Sequence, residues 1–101
     1  MAATPEGKVK KQIKDILNKR GVVYCMPATY GLGCSGVSDF VACYKGQFIS
    51  IEAKAGKGKT TALQDKWLER VSEAGGWALV VYEGGMDMLE HTLGIIENKY
   101  E

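Results

Sequence analysis

The sequence predicts an α/β fold in the order αβββαβα, a small mixed sheet with helices against it. Three observations predict it. Two segments carry an apolar stripe at helical spacing between a threonine cap and a glycine stop. Four short apolar runs are bounded by proline, glycine or lysine-glycine signals. The runs and segments also follow one another in an order that no all-helical or all-strand fold would give.

Thr4-Pro5 opens the first helix: threonine caps it, and proline follows where its missing N–H costs nothing. The helix runs to about Arg20, and Gly21 stops it. Val22 to Met26 reads as a strand ended by Pro27, and the glycine-rich loop "ATYGLGCSGVS" follows over 28–38. Asp39 to Tyr44 and Gln47 to Ala53 are two strands joined at Lys45-Gly46 as a hairpin. A lysine-glycine loop spans 54–59. Thr60 or Thr61 then caps a second helix to about Ala74, and Gly75-Gly76 ends it. Trp77 to Tyr82 is a short strand, and Met86 to about Lys99 a last helix.

The 101 residues suit one domain, 1–101, with a radius of gyration of roughly 13 Å. Nearly half are apolar, as in ordinary globular proteins. Net charge is +1, so global charge does not point to nucleic acid. Its distribution is more informative: Lys8, Lys10, Lys11, Lys14, Lys19 and Arg20 crowd the first twenty positions. Three cysteines without a CxxC pair argue against a disulfide framework and a structural zinc site. No apolar run reaches the length of a signal peptide or a membrane span, so a cytoplasmic location is expected, with no membrane partner. Cys25 and Cys43 fall in strands and are expected in the core, whereas Cys34 lies in the glycine loop. His91, the single histidine, is far in sequence from every candidate and reads as structural or surface.

Helical geometry sorts the polar residues at about 100° per residue. Val9, Ile13, Ile16 and Leu17 form the stripe of the first helix, and Glu6 projects toward the same side. In the second helix Leu63, Trp67, Leu68 and Val71 point inward, with Gln64 in their midst. Strand alternation puts Glu52 and Lys54 on one face, about 7 Å apart. Helices on both sides of so small a sheet would cover that face, and a buried charge needs a partner or a metal. Asp39, at the mouth of the neighbouring strand, is a fifth candidate. Each also has a plainer reading. Glu6 suits the positive end of its helix. Glu52 and Lys54 could be an edge-strand ion pair, Gln64 could bond nearby backbone, and Asp39 could be a turn residue.

The segment "SIEAKAGKGKTT", residues 50–61, admits two chemistries. Ala53 to Thr60 fits a relaxed phosphate loop, in which Lys59 and Thr60 would serve a nucleotide and its magnesium. Against this, Ala53 replaces the usual first glycine, charged Glu52 lies in the strand, and few βα units are present. The other chemistry is phosphodiester hydrolysis. Carboxylates suit Mg2+ or Mn2+. Asp39 and Glu52 on adjacent strands could share an ion, with the backbone carbonyl of Ala53 as third ligand. Lys54 could orient the attacking water and stabilise the growing charge on phosphate. Glu6 could hold a second ion or an outer-shell water, and Gln64 could orient Lys54 or the water.

The stretch "GVSDFVACYKGQFISIEAKAGKGKTTALQDKWL", with Glu6 in "TPEGKVKKQIK", resembles the PD-(D/E)xK nucleases, and within them the virus-type replication-repair nuclease (VRR-NUC) domains in their small stand-alone phage form. The resemblance implies a restriction-endonuclease-like core and a divalent-metal-dependent DNA endonuclease. It makes Asp39 and Glu52 metal ligands, Lys54 the catalytic lysine, Glu6 the helix glutamate and Gln64 the helix glutamine. Ser38 stands where that family usually has proline, which stiffens the turn and is not a ligand. The resemblance further implies selectivity for branched DNA such as four-way (Holliday) junctions, action as a homodimer and, for a phage protein, the host-cell cytoplasm. DNA contacts would come from Lys8, Lys10, Lys11 and Lys14, from Lys57 and Lys59, and from Tyr30 in a glycine flap. Such lysines read phosphates rather than bases. From a different class, a non-catalytic DNA-binding module on the same fold remains an alternative.

Overall fold

The computed structural model describes residues 4–28 and 33–100. The elements are α1 (Pro5–Arg20), β1 (Val23–Cys25), β2 (Phe40–Tyr44), β3 (Gln47–Ala53), α2 (Ala62–Glu73), β4 (Trp77–Val81) and α3 (Met86–Tyr100), with a short 3-10 turn at Glu83–Gly85. The sheet order is β1-β2-β3-β4. β1, β2 and β3 are antiparallel neighbours, whereas β3 and β4 are parallel and joined through α2. The expected α/β class, element order and mixed sheet are therefore present, and the radius of gyration is 13.3 Å.

Local chemistry sets the boundaries. The Thr4 hydroxyl accepts the Gly7 N–H at one end of α1, and Gly21 closes the other at φ 73°. Lys45 and Gly46 both have positive φ, 51° and 77°, as a two-residue hairpin turn between antiparallel strands requires. Thr61 rather than Thr60 caps α2.

One face of the sheet carries the core. Phe40, Ala42, Ile49, Ile51, Ala53 and Val81 pack with Val9, Ile13 and Leu17 of α1 and with Leu89, Leu93 and Ile96 of α3. Arg20 ties the two helices together, donating to Glu90 at 2.7 Å and to Glu97 at 3.3 Å. The Tyr44 hydroxyl also donates to Glu97.

The other face differs from expectation. α2 lies over β4 and β3, where the Trp67 indole N–H donates to the Ser50 hydroxyl at 2.9 Å, and it leaves the β1–β2 half uncovered. Cys25 and Cys43 are therefore exposed and not in the core, as is Cys34. Strand parity explains this: both strand cysteines alternate with Tyr24 and Ala42, which face the α1 and α3 layer. The inward stripe of α2 is also weaker than its spacing suggests. Val71 is buried, Trp67 and Leu68 are half-buried, and Leu63 is exposed. A helix over only part of a small sheet has too little surface beneath it to bury a full stripe.

Candidate functional site

The site lies at the end of the sheet where β2 begins and β3 ends. Phe40 pairs with Ile51, and one further step along the antiparallel register sets Asp39 opposite Glu52. The Asp39 Oδ2 atom accepts the Ala53 N–H at 2.9 Å, which fixes the carboxylate against β3. Ala53, whose carbonyl is the expected third ligand, meets Asp39 through its N–H.

Glu52 is buried, with 3% of its surface exposed, in the interior strand β3, so it is not half of an edge-strand ion pair. Its Oε2 atom has no hydrogen-bond partner. Burial first, and then the hydrogen bond and negative charge of Asp39, push the Glu52 carboxyl up to about 8. Lys54 opposes the rise, and the charge of Glu6 adds to it. Burial beside a second acid makes ionising Glu52 costly, so its carboxyl keeps its proton unless a cation takes that proton's place. Ser38, buried beside Asp39, has a second unpartnered oxygen.

Lys54 follows Glu52 on the same face, half-buried, and its backbone N–H continues the parallel ladder to the Val81 carbonyl at 3.0 Å. Glu6 reaches this end of the sheet through Lys10. The Lys10 ammonium lies 3.5 Å from Glu6 Oε2 and 3.5 Å from Asp39 Oδ1. The geometry thus links Glu6, Asp39, Glu52 and Lys54 into one cluster. The place of Lys10 within it was not anticipated. Its signal was the i, i+4 spacing from Glu6, which puts the two side chains on one flank of the helix.

Gln64 caps its own helix. Its Oε1 atom accepts the Thr61 N–H at 2.9 Å, and its own N–H donates to the Thr61 hydroxyl at 3.2 Å, a reciprocal cap of α2. The cap sits beside the turn that carries Asp39. Gly36, at φ 75°, packs so closely that a Cβ there would run into the Leu63 carbonyl.

The loop after β3 is held in place. The Gly56 N–H donates to both Glu83 oxygens, at 3.1 and 2.9 Å, and the Tyr82 hydroxyl donates to the Gly58 carbonyl at 2.7 Å. Lys57 and Lys59 are exposed on this anchored loop. The phosphate-loop geometry is compromised by the same bonds. A carboxylate already takes the Gly56 amide, the Gly58 amide bonds the Ala55 carbonyl, and the Thr60 hydroxyl donates to Asp65.

The basic residues of α1 divide. At about 100° per residue, Lys10 and Lys14 share the flank of Glu6. Lys8 and Lys11 turn elsewhere and, with Gln12 and Glu83, border a groove of about 490 Å³. Lys11 pairs with Asp15 at 3.3 Å. Tyr30, with Gly31 of the expected flap, lies outside the described residues. A cavity of about 610 Å³ lined by Phe48, Trp67, Val71 and Gly76 holds none of the candidate residues.

Among the described residues no three His, Cys, Asp or Glu side chains gather into a ready cation cage. The fit to a hard cation rests instead on two carboxylates, one with a buried oxygen that bonds nothing. Such an oxygen pair suits Mg2+ or Mn2+ rather than a soft metal. No helix among the described residues is long and apolar enough to cross a membrane. The chain matches no family model and no curated protein.

Proposed function

We propose that this protein is a divalent-metal-dependent DNA endonuclease with a restriction-endonuclease-like core of the VRR-NUC type, acting on branched DNA. The observation that carries the proposal is the buried Glu52 carboxyl, one of its oxygens unpartnered, beside the Asp39 carboxylate. A buried acid pair raises the energy of the folded chain, and a site that needs both oxygens is a reason to keep it.

Asp39 and Glu52 would hold the ion, with Glu6 in reserve for a second ion or an outer-shell water. When bound, Mg2+ or Mn2+ supplies charge neutralisation at the phosphate and a more acidic water. Lys54 donates hydrogen bonds to the attacking water and to the scissile phosphate, and its charge favours the more negative transition state. The loop anchored by Glu83 and Tyr82 presents Lys57 and Lys59 to the DNA backbone. Such contacts position a duplex without reading sequence, which fits a substrate defined by shape. Gln64 acts here by holding the start of α2 against the Asp39 turn.

A homodimer belongs to the same proposal, since two symmetric cuts on a junction need two related sites. Val23, Cys43 and Phe48 lie in register across three strands and form an exposed apolar row, with Val23 at 74% and Phe48 at 44% exposure, available to a second copy. The phosphate-loop reading draws support only from the single parallel β3–α2–β4 unit, and the engaged loop amides count against it.

The test is cleavage of four-way junctions with Mg2+ or Mn2+, against Ca2+ or a chelator. Cutting is expected only with the first two. Asp39→Asn and Lys54→Ala should each reduce the rate by at least about a hundredfold while junction binding persists. Binding without cutting in any metal would instead identify a non-catalytic DNA-binding module.

A further inference from the structure

The Asp39 carboxylate has both oxygens engaged. Oδ2 accepts the Ala53 N–H at 2.9 Å, and Oδ1 faces the Lys10 ammonium at 3.5 Å. The same ammonium lies 3.5 Å from Glu6 Oε2. Lys10 therefore bridges two of the three acids at this end of the sheet, each of which would otherwise present an uncompensated negative charge. The Lys10 ammonium beside Asp39 Oδ1 neutralises the carboxylate and repels a divalent ion approaching it, so its charge opposes metal binding there.

We infer that Lys10 is an internal counter-cation at the Asp39 carboxylate that competes by charge with the divalent ion Asp39 and Glu52 would hold, and that it swings out when that ion binds. The inference rests on the proposed metal site and concerns its regulation: Lys10 sets how much free metal the protein needs. Two features allow the exchange. The Lys10 side chain keeps 30% of its surface exposed, so a route to solvent is open. Its four-carbon stem is flexible and carries a strongly hydrated head, so swinging out regains hydration and rotamer freedom. The Asp39 carboxylate stays put, because it is tied to β3. Metal affinity is lowered by the fraction of molecules in which Lys10 is seated.

The test is Mn2+ binding by isothermal titration calorimetry at one fixed pH for wild type, Lys10→Met and Lys10→Arg, together with thermal melts of each with and without Mn2+. Methionine keeps the length and removes the charge; arginine keeps the charge. Lys10→Met should bind Mn2+ about fivefold or more tightly than wild type, and Lys10→Arg should remain close to wild type. The metal-free melting temperature of Lys10→Met should fall, and its rise on adding Mn2+ should exceed that of wild type. A purely structural lysine would lower both melts and leave affinity unchanged. Unchanged or weaker Mn2+ binding by Lys10→Met, with wild type binding normally, overturns this inference alone. Wild type that binds no Mn2+ overturns both the inference and the proposed function.

Discussion

Glu52 shows how one side chain links sequence, stability and chemistry. Its carboxyl is raised from an ordinary 4.5 to about 8, chiefly by burial and then by Asp39. Between those values the folded chain holds a proton that the unfolded chain has lost. Stability of the metal-free protein therefore falls as pH rises from about 5 to 9, by roughly 2–5 kcal/mol. Glu52→Gln, neutral at every pH, should flatten that slope, and urea denaturation at pH 5, 7 and 9 measures it. An unchanged slope in the variant would assign the dependence to other groups. At this scale the sequence was partly legible. Glu52 stands out because charge interrupts an apolar pattern and Asp39 by its place at a strand mouth, whereas Glu6, expected on the core side, keeps its side chain 43% exposed. Gln64 was ambiguous because an amide that caps its own helix and an amide that serves a site look alike in a stripe. Lys10 was hidden among six basic residues, and only its spacing from Glu6 marked it.

At the scale of elements, the helix caps and the Lys45-Gly46 hairpin were readable because few residues can do those jobs: a threonine hydroxyl for an orphan N–H, a positive φ for a two-residue turn. The burial of Cys25 and Cys43 was misjudged. Alternation tells which residues share a face, and it does not tell how far a neighbouring helix reaches across it. The approach of α2 to the Asp39 turn depends on Gly36. Gly36→Ala would both strain a φ of 75° and drive a Cβ into the Leu63 carbonyl. We expect a loss of about 2 kcal/mol or more in thermal or chemical denaturation. The proposed nuclease activity should fall more than stability accounts for, because Gly36 packs the turn that carries Asp39 against the start of α2. A variant as stable and active as wild type would show that the two elements are independent.

For the whole molecule, α1 and α3 seal one face of the sheet, and the site forms where the antiparallel hairpin of β2 and β3 meets the parallel β3–α2–β4 unit. The antiparallel register sets the two acids opposite each other. The parallel crossover returns the chain so that Glu83 and Tyr82 can brace the lysine loop beside them. Class and element order could be read from the sequence because each element carries its own boundary signals. The uncovered half of the sheet could not, because it depends on how α2 and the strands are placed in three dimensions. Asp39 and Glu52 are proposed to hold one hard divalent ion between them. Anomalous diffraction from crystals soaked in Mn2+ tests this claim most directly: a peak within coordination distance of oxygens from both carboxylates is predicted, with the Lys10 ammonium displaced. An absent peak, or an ion held by only one of the two acids, would contradict the claim.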